Sequence, residues 1–545
     1  MSRDLPKSIP DFFWGWTAKI PSEITFNKSK EQLESADLII HEEDHQGDVD
    51  DIIPPSKVKL NNMWSGFISG AGLFSDGYVN NSISTVTTCL SILYPKEYAD
   101  SSAISNVSSI AFAGTVFGML LFGYISDHVH RKGGMMAANV LLIVFTILCA
   151  VATWGKTPYG LFTAITVFRF FLGVGIGAEY PTASVICSEF SNQLPLGHRN
   201  RYFVWFTNFM IDFGFVVSSF VPLVCLWIFR ENHLNPVWRV TLGLGVICPF
   251  LLFFARMHLV NSKSYDKFNM KKSKKVPYLL IIKFYWLRLT VVSIIWFIYD
   301  FSAYSFGIYS SFIFNQIIPD GDIYKTFGWN VVFNLFYLPG AFLGALAADY
   351  FGPRLTIGVG LLLQGTVGFI MSGTYSHLKN HIGAFVVVYG IFSTLGEFGP
   401  GDNIGLLASK TSATPIRGEY YGIAAAVGKV GAFVGTYVFP IIIRNNGGKG
   451  TDSGMRAPYQ VSSALCFFAA FLAIFMCPSI GQDAINKEDL EFVEYLKLNG
   501  YDISQMGSEE YNHSNLVGTT RSNTGGYKDK AEESVAVEEV SSREL

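Results

Sequence analysis

Apolar segments long enough to cross a lipid bilayer recur along most of this chain, and that recurrence constrains the fold more than any other feature. Crossing about 30 Å of hydrocarbon takes about 20 helical residues. Segments of that kind are predicted at 62–90, 102–126, 133–153, 158–190, 202–229, 238–259, 286–314, 328–349, 355–376, 383–409, 418–443 and 460–480, about twelve spans. The composition agrees: 50% of the 545 residues are hydrophobic and 15% are charged, against about 25% charged in soluble domains. One soluble core could not hide so much apolar surface, so the composition excludes a soluble enzyme. The 52 glycines suit helices that pack closely in lipid. A net charge of −3 without a long basic tract gives no footing for nucleic acid. The seven cysteines fall in or beside apolar runs without metal-ligand spacing and read as buried thiols, so no metal or other cofactor is expected.

The spans divide the chain into an N-terminal tail (1–61), a six-helix bundle (62–259), a basic loop (260–285), a second six-helix bundle (286–480) and a C-terminal tail (481–545). The first tail is polar and acidic, with the run His41-Glu42-Glu43-Asp44-His45. The second holds one amphipathic stretch, 489–496, before a Ser/Glu-rich end. The opening MSRDLPKSIPDFFWG has no basic-then-apolar signal peptide, so insertion is expected to rest on the first span. Lys263, Lys267, Lys271, Lys272, Lys274 and Lys275 in the middle loop, with Arg131, Lys132, Arg199 and Arg201, place the tails and that loop in the cytosol. Residues 444–456, with Arg444, Lys449 and Arg456, run against the pattern.

The two halves echo each other. Gly123-Tyr-Ile-Ser-Asp127-His-Val-His-Arg131-Lys132 ends span two, and Asp349-Tyr-Phe-Gly352-Pro-Arg354 ends span eight. Gly177-Ala-Glu179-Tyr180-Pro181 in span four is matched by Gly396-Glu397-Phe-Gly-Pro400 in span ten. Matching marks at matching spans are expected of a carrier built from repeats.

Ionisable residues inside spans are costly, and each is a functional candidate. Asp76, Asp300 and Lys429 fall near the predicted midplane; Glu179, Asp212, Glu397 and Asp402 also lie inside spans. A structural ion pair or an interhelical hydrogen bond is the alternative reading for each. In span seven Trp296, Asp300 and Tyr304 share one helix face at i, i+4 and i+8. The stripe places a proton-carrying carboxyl between two hydrogen-bonding rings, unless it is a chance of an aromatic-rich helix. In span eleven Lys429 stands among Gly428, Gly431, Ala432 and Gly435. It needs an anionic partner, either a carboxylate or a substrate phosphate.

Arg169-Phe-Phe-Leu-Gly173-Val-Gly-Ile-Gly177-Ala-Glu179-Tyr180-Pro181, together with the Gly123–Lys132 loop motif, resembles the phosphate:proton symporter branch of the major facilitator superfamily over about 62–480. The resemblance implies an all-α membrane fold of twelve transmembrane helices in two six-helix bundles. It also implies that Tyr180, Trp296, Asp300, Tyr304 and Lys429 hold phosphate, that Asp76, Glu179 and Asp300 handle protons, and that Gly123, Asp127, Arg131 and Lys132 form a gating loop. The sequence departs from the branch at His128 and His130 in the loop, at Ile211 (usually Gln) followed by Asp212, and at Glu397 (usually Asn). Phe74-Ser-Asp76-Gly-Tyr78 and Leu395-Gly-Glu397-Phe-Gly-Pro400-Gly-Asp402-Asn403 are most similar to fungal glycerophosphodiester permeases of the plasma membrane.

Losing a Gln amide and gaining Asp212 and Glu397 makes the pocket less favourable to an orthophosphate dianion. It suits a hydroxyl-rich or quaternary ammonium head group better, the latter through acids beside rings. The expectation is therefore proton-coupled uptake of glycerophosphodiesters by alternating access, glycerophosphocholine ahead of glycerophosphoinositol. A zwitterion with one proton, or a monoanion with about two, would be driven inward by a negative-inside potential. The partners expected are the small-molecule diester, protons and the lipid bilayer. An inorganic phosphate:proton symporter and a non-transporting nutrient sensor are the alternatives.

Overall fold

A peptide group in hydrocarbon has no water to bond to, so a chain with this much apolar sequence must satisfy its backbone within helices. The computed structural model does so. It describes residues 55–503 and 506, apart from 100, 156, 196, 261, 272–275, 319–321 and 449–450, and contains no strand among them. Residues 1–54 and 507–545, most of the two predicted tails, and Lys272, Lys274 and Lys275 lie outside the described residues.

Twelve crossings follow. α1 comprises Pro55–Gly70 and Phe74–Leu93, joined by a tight turn at Ala71–Leu73. α2 (Ala103–His128), α3 (Arg131–Ala150), α4 (Pro158–Asn192), α5 (Arg199–Phe229) and α6 (Leu234–Arg256) complete the first bundle. The second is α7 (Tyr278–Ile317), α8 (Ile323–Tyr350), α9 (Pro353–Leu378), α10 (Ile382–Lys410), α11 (Arg417–Asn445) and α12 (Asp452–Met476). Eleven of these are long and apolar enough to cross a membrane among the described residues. α1 is the exception because Ser75, Asp76, Asn80, Asn81, Ser82, Ser84 and Thr85 are polar, and all of them are buried. A polar helix turned inward is a cavity wall.

Within each bundle glycines set the spacing. Gly114 and Gly118 of α2 lie against the Phe170 and Val174 carbonyls of α4, while Gly173 and Gly177 of α4 lie against the Ala111 and Thr115 carbonyls of α2. Gly431 and Gly435 of α11 sit in the same way on Phe297 and Phe301 of α7. A side chain at any of these positions would push the backbones apart. Between the bundles, α2 packs on α11 and α5 on α8.

Several predicted boundaries shift; α1 starts at Pro55 rather than 62 and α12 at Asp452 rather than 460. α7 starts at Tyr278 rather than 286 and runs 40 residues to Ile317; Lys283, which depresses the local hydropathy, rides on its first turns ahead of the predicted start. The predicted tail after 480 is not wholly a tail. Ala484–Leu498 forms α13, with Ile485, Phe492 and Leu496 fully buried. Glu488 accepts hydrogen bonds from Tyr285 Oη (3.0 Å) and Arg288 Nη1 (2.8 Å). Asp489 accepts from Thr414 N (2.5 Å) and Thr414 Oγ1 (2.7 Å). α13 thus ties the start of α7 to the α10–α11 connection. Burial pushes the carboxyls of both Glu488 and Asp489 above the ordinary carboxylate range.

Candidate substrate site

A cavity lies between the bundles, walled by α1, α4, α5, α7, α8, α10 and α11. Its charges are split between two ends, and neighbouring residues of α7 serve one end each.

At the first end Lys429 is 1% exposed. Its Nζ donates to Tyr304 Oη and lies 3.5 Å from Asp300 Oδ2 and 3.7 Å from Asp76 Oδ2. It also sits 3.8 Å above the Tyr304 ring and 5.1 Å above the Tyr180 ring. Asp76 accepts from Tyr180 Oη, from Asn80 Nδ2 and, at 3.3 Å, from Tyr304 Oη. Trp296 completes the wall, its ring 6.4 Å from Tyr180 and 5.5 Å from Tyr421, pressed against Gly428. Of the two partners the sequence allowed Lys429, the structure shows the carboxylates, Asp76 and Asp300.

At the second end Tyr299 donates to Glu397 Oε1 at 2.5 Å. Asn208 Nδ2 bridges Glu397 Oε2 (3.0 Å) and Asp402 Oδ1 (2.8 Å). Asp212 is fully buried, and among the described residues neither of its oxygens has a hydrogen-bond partner; the same holds for Asp402 Oδ2. Tyr299 and Asp300 are adjacent on α7 and so point about 100° apart: Tyr299 bonds Glu397, and Asp300 lies beside Lys429.

Helix irregularities aim these groups. The π-helical turns Tyr180–Ser184 in α4 and Glu397–Gly401 in α10 begin at Tyr180 and at Glu397, each a cavity residue. Turns of this kind inserted in a helix concentrate at functional sites.

Glu179 does not join its neighbour Tyr180 at the cavity. It is held by Arg256 through two bonds of 2.6 and 2.7 Å, and Asn139 binds the same guanidinium at 2.7 Å. Successive residues of a helix face different ways, so the acid–tyrosine pair of span four splits between an α4–α6 ion pair and the pocket.

The loop motif lies at the face of the bundle that carries α13. Asp127 accepts from the N–H groups of Gly418 (3.0 Å) and Glu419 (2.7 Å), at the start of α11 where the helix dipole favours an anion. Arg131 binds Asp127 at 2.9 Å, the Thr414 carbonyl at 3.1 Å, and Glu189; Arg417 binds Glu189 at 3.1 Å. Gly123 lies against the Gly418 carbonyl, with no room for a larger residue. These contacts close that face across the seam. Lys132 is not among them: it donates to the Met257 carbonyl (2.7 Å) within the first bundle. The echo of the motif in the second half repeats the arrangement, since Asp349 accepts from Asn200 N (3.1 Å) and from Arg201.

The sequence reading did not single out Glu189, Arg256, Arg417, Asn208 or Tyr299. Arg256 and Arg417 sit at span ends, where basic residues read as orientation signals, and Asn208 and Tyr299 carry no charge to mark them.

A two-fold repeated helical bundle with a charged central cavity, sealed on one face by cross-seam ion pairs, defines a solute carrier rather than an enzyme. The chain belongs to the family described as Sugar (and other) transporter, a major facilitator family whose model matches residues 65–275 and 264–487. Among curated relatives, three from Candida albicans are each 60% identical over 93% of this chain and 94% of their own. They are named Glycerophosphodiester transporter GIT2, Major glycerophosphoinositol permease GIT3 and Glycerophosphocholine permease GIT4. Equal identity to relatives named for different diesters leaves the head group to be argued from the pocket. Among solved structures, the proton:xylose symporter XylE bound to 6-bromo-6-deoxy-D-glucose superposes with a TM-score of 0.66 at 16% identity, covering 80% of this chain and 99% of that one. At that identity the likeness speaks to the fold.

Proposed function

We propose that the protein takes up glycerophosphodiesters together with protons by alternating access, at the plasma membrane with both termini cytosolic, and favours glycerophosphocholine over glycerophosphoinositol. The observation that carries this reading is the charge-split cavity. Lys429, Tyr180, Trp296 and Tyr304 offer a cation, hydroxyls and an indole to a phosphodiester. The acids Asp212 and Glu397, among the rings of Tyr299 and Tyr337, offer negative charge and π faces to a quaternary ammonium. The relatives named for such diesters give the substrate class independent support.

In the cycle, protonation of Asp300 or Asp76 weakens its hold on Lys429 and frees the ammonium for the incoming phosphate. Release on the other side follows when the carboxylates lose their protons and reclaim Lys429. Glu179, engaged by Arg256, leaves Asp76 and Asp300 as the proton carriers at this end. The Asp127–Arg131–Glu189–Arg417 contacts must break for the α13 face to open.

Competition tests the reading. Excess unlabelled glycerophosphocholine should suppress uptake of labelled glycerophosphoinositol, and orthophosphate should not. Suppression by orthophosphate alone would replace the diester with inorganic phosphate as the cargo.

A further inference from the structure

The acid end of the cavity poses a problem of its own. Asp212, Glu397 and Asp402 are 0%, 4% and 1% exposed. Among the described residues no lysine, arginine or histidine lies within 4 Å of any of the three; the ion pairs of the cavity all belong to the Lys429 end. Asn208 joins Glu397 to Asp402 but supplies no charge. Asp212 stands outside that bridge, on another helix, and still turns two unpartnered oxygens to the same cavity. The other titratable groups facing the three are Tyr299 and Asp300 on α7, Tyr337 on α8 and Lys429 on α11. Tyr299 already donates to Glu397, and Lys429 is occupied by Asp76 and Asp300.

An ionised carboxylate buried without a partner is too costly to persist. Asp212, whose two oxygens have no partner among the described residues, therefore holds either a proton or a cation that comes from outside the protein, beside two further acids that only neutral groups hydrogen-bond.

We infer that Asp212, Glu397 and Asp402 form a site that exchanges a proton for the positive charge of a diester head group, so that a cationic diester travels with one proton fewer than a diester with a polyol head. The inference rests on the diester reading above and gives it a proton count. On the entry side one proton leaves the acids as the ammonium takes its place. On the exit side the ammonium departs and one proton is taken up again. No covalent bond changes. If n protons accompany the monoanion glycerophosphoinositol, then n − 1 accompany the zwitterion glycerophosphocholine, and the net charge moved is n − 1 in both cases. The carrier is equally electrogenic with either cargo while its proton coupling differs.

The test uses the full chain in proteoliposomes, with labelled substrate influx, proton influx by a trapped pH dye, and reversal potential measured on the same preparation. The expected result is a proton-to-substrate ratio lower by one for glycerophosphocholine than for glycerophosphoinositol, with equal charge per substrate. Equal proton ratios would overturn the exchange and leave the diester reading standing. Absence of flux with either diester would overturn both. Asp212→Asn, which keeps the Asn208 bridge, should lower the preference for the choline diester about tenfold, the scale of one charge-assisted contact. An unchanged preference ratio would also count against the site.

Discussion

Lys429 offers the sharpest separation between an ion pair that holds the protein together and one that holds its cargo. Lys429→Gln removes a buried ammonium that lies 3.5 Å from Asp300 Oδ2 and 3.7 Å from Asp76 Oδ2. Two consequences follow, with different remedies. Losing one partner of a buried pair costs about 3–5 kcal/mol of stability. Losing a charge-assisted hydrogen bond to phosphate costs about 1.5–3 kcal/mol of binding, or about 10- to 150-fold in KM. Adding Asp300→Asn to Lys429→Gln discards the stranded carboxylate, while Asp76 keeps its bonds from Tyr180 and Asn80. The double variant should therefore regain most of the thermal stability yet keep the raised KM. Thermal melting of the solubilised protein and initial rates of labelled glycerophosphocholine uptake, corrected for surface abundance, read the two effects separately. A double variant that recovers affinity along with stability would show that Lys429 serves structure alone.

Further outcomes follow from the same geometry. Uptake should rise as external pH falls and collapse with a protonophore; uptake indifferent to both would remove the proton from the cycle. Glu179→Gln should lower stability by about 3–5 kcal/mol, since it strands the buried Arg256, yet leave the pH dependence of uptake by the folded fraction in place; a lost pH dependence at full stability would make Glu179 a proton carrier after all. Glu189→Gln weakens an acceptor shared by Arg131 and Arg417, and should speed thiol labelling of Cys187, fully buried at the seam here, by about tenfold, the effect of one charge-assisted bond; unchanged labelling would dissociate these contacts from the gate. Glu488 and Asp489 bind protons more readily when α13 is docked, their carboxyls being pushed up by burial. Docking should thus strengthen as pH falls through the carboxylate range and weaken as it rises, read as amide exchange protection of 484–498 corrected for intrinsic rates; protection that climbs with pH would contradict it.

What the sequence could tell follows from what lipid demands of it. Spans are legible because hydrocarbon penalises every polar residue along about 20 positions, so apolar length is itself the signal. The stripe Trp296–Asp300–Tyr304 is legible because helical periodicity alone puts the three on one face. Lys429 stands out as a lone cation among small residues. Contacts between helices distant in the chain are a different matter. That Glu179 would meet Arg256 rather than the cavity depends on how α4 and α6 turn relative to each other, and no spacing within either helix encodes it. The buried face of α13 was short and flanked by charge, so it read as an amphipathic stretch of a tail. Only the partners Tyr285, Arg288 and Thr414, far away in sequence, explain why its acids can be buried.

The extra residue wound into each π-helical turn alters what lies downstream of it. Beyond Tyr180 in one bundle and beyond Glu397 in the other, the remaining helix is rotated against the part before it. The two halves thus carry a kink at matching spans but begin it on different groups, a phenol at Tyr180 and an acid at Glu397. Shape is repeated while chemistry is not, so the residue at one kink can change without disturbing the bend of the other.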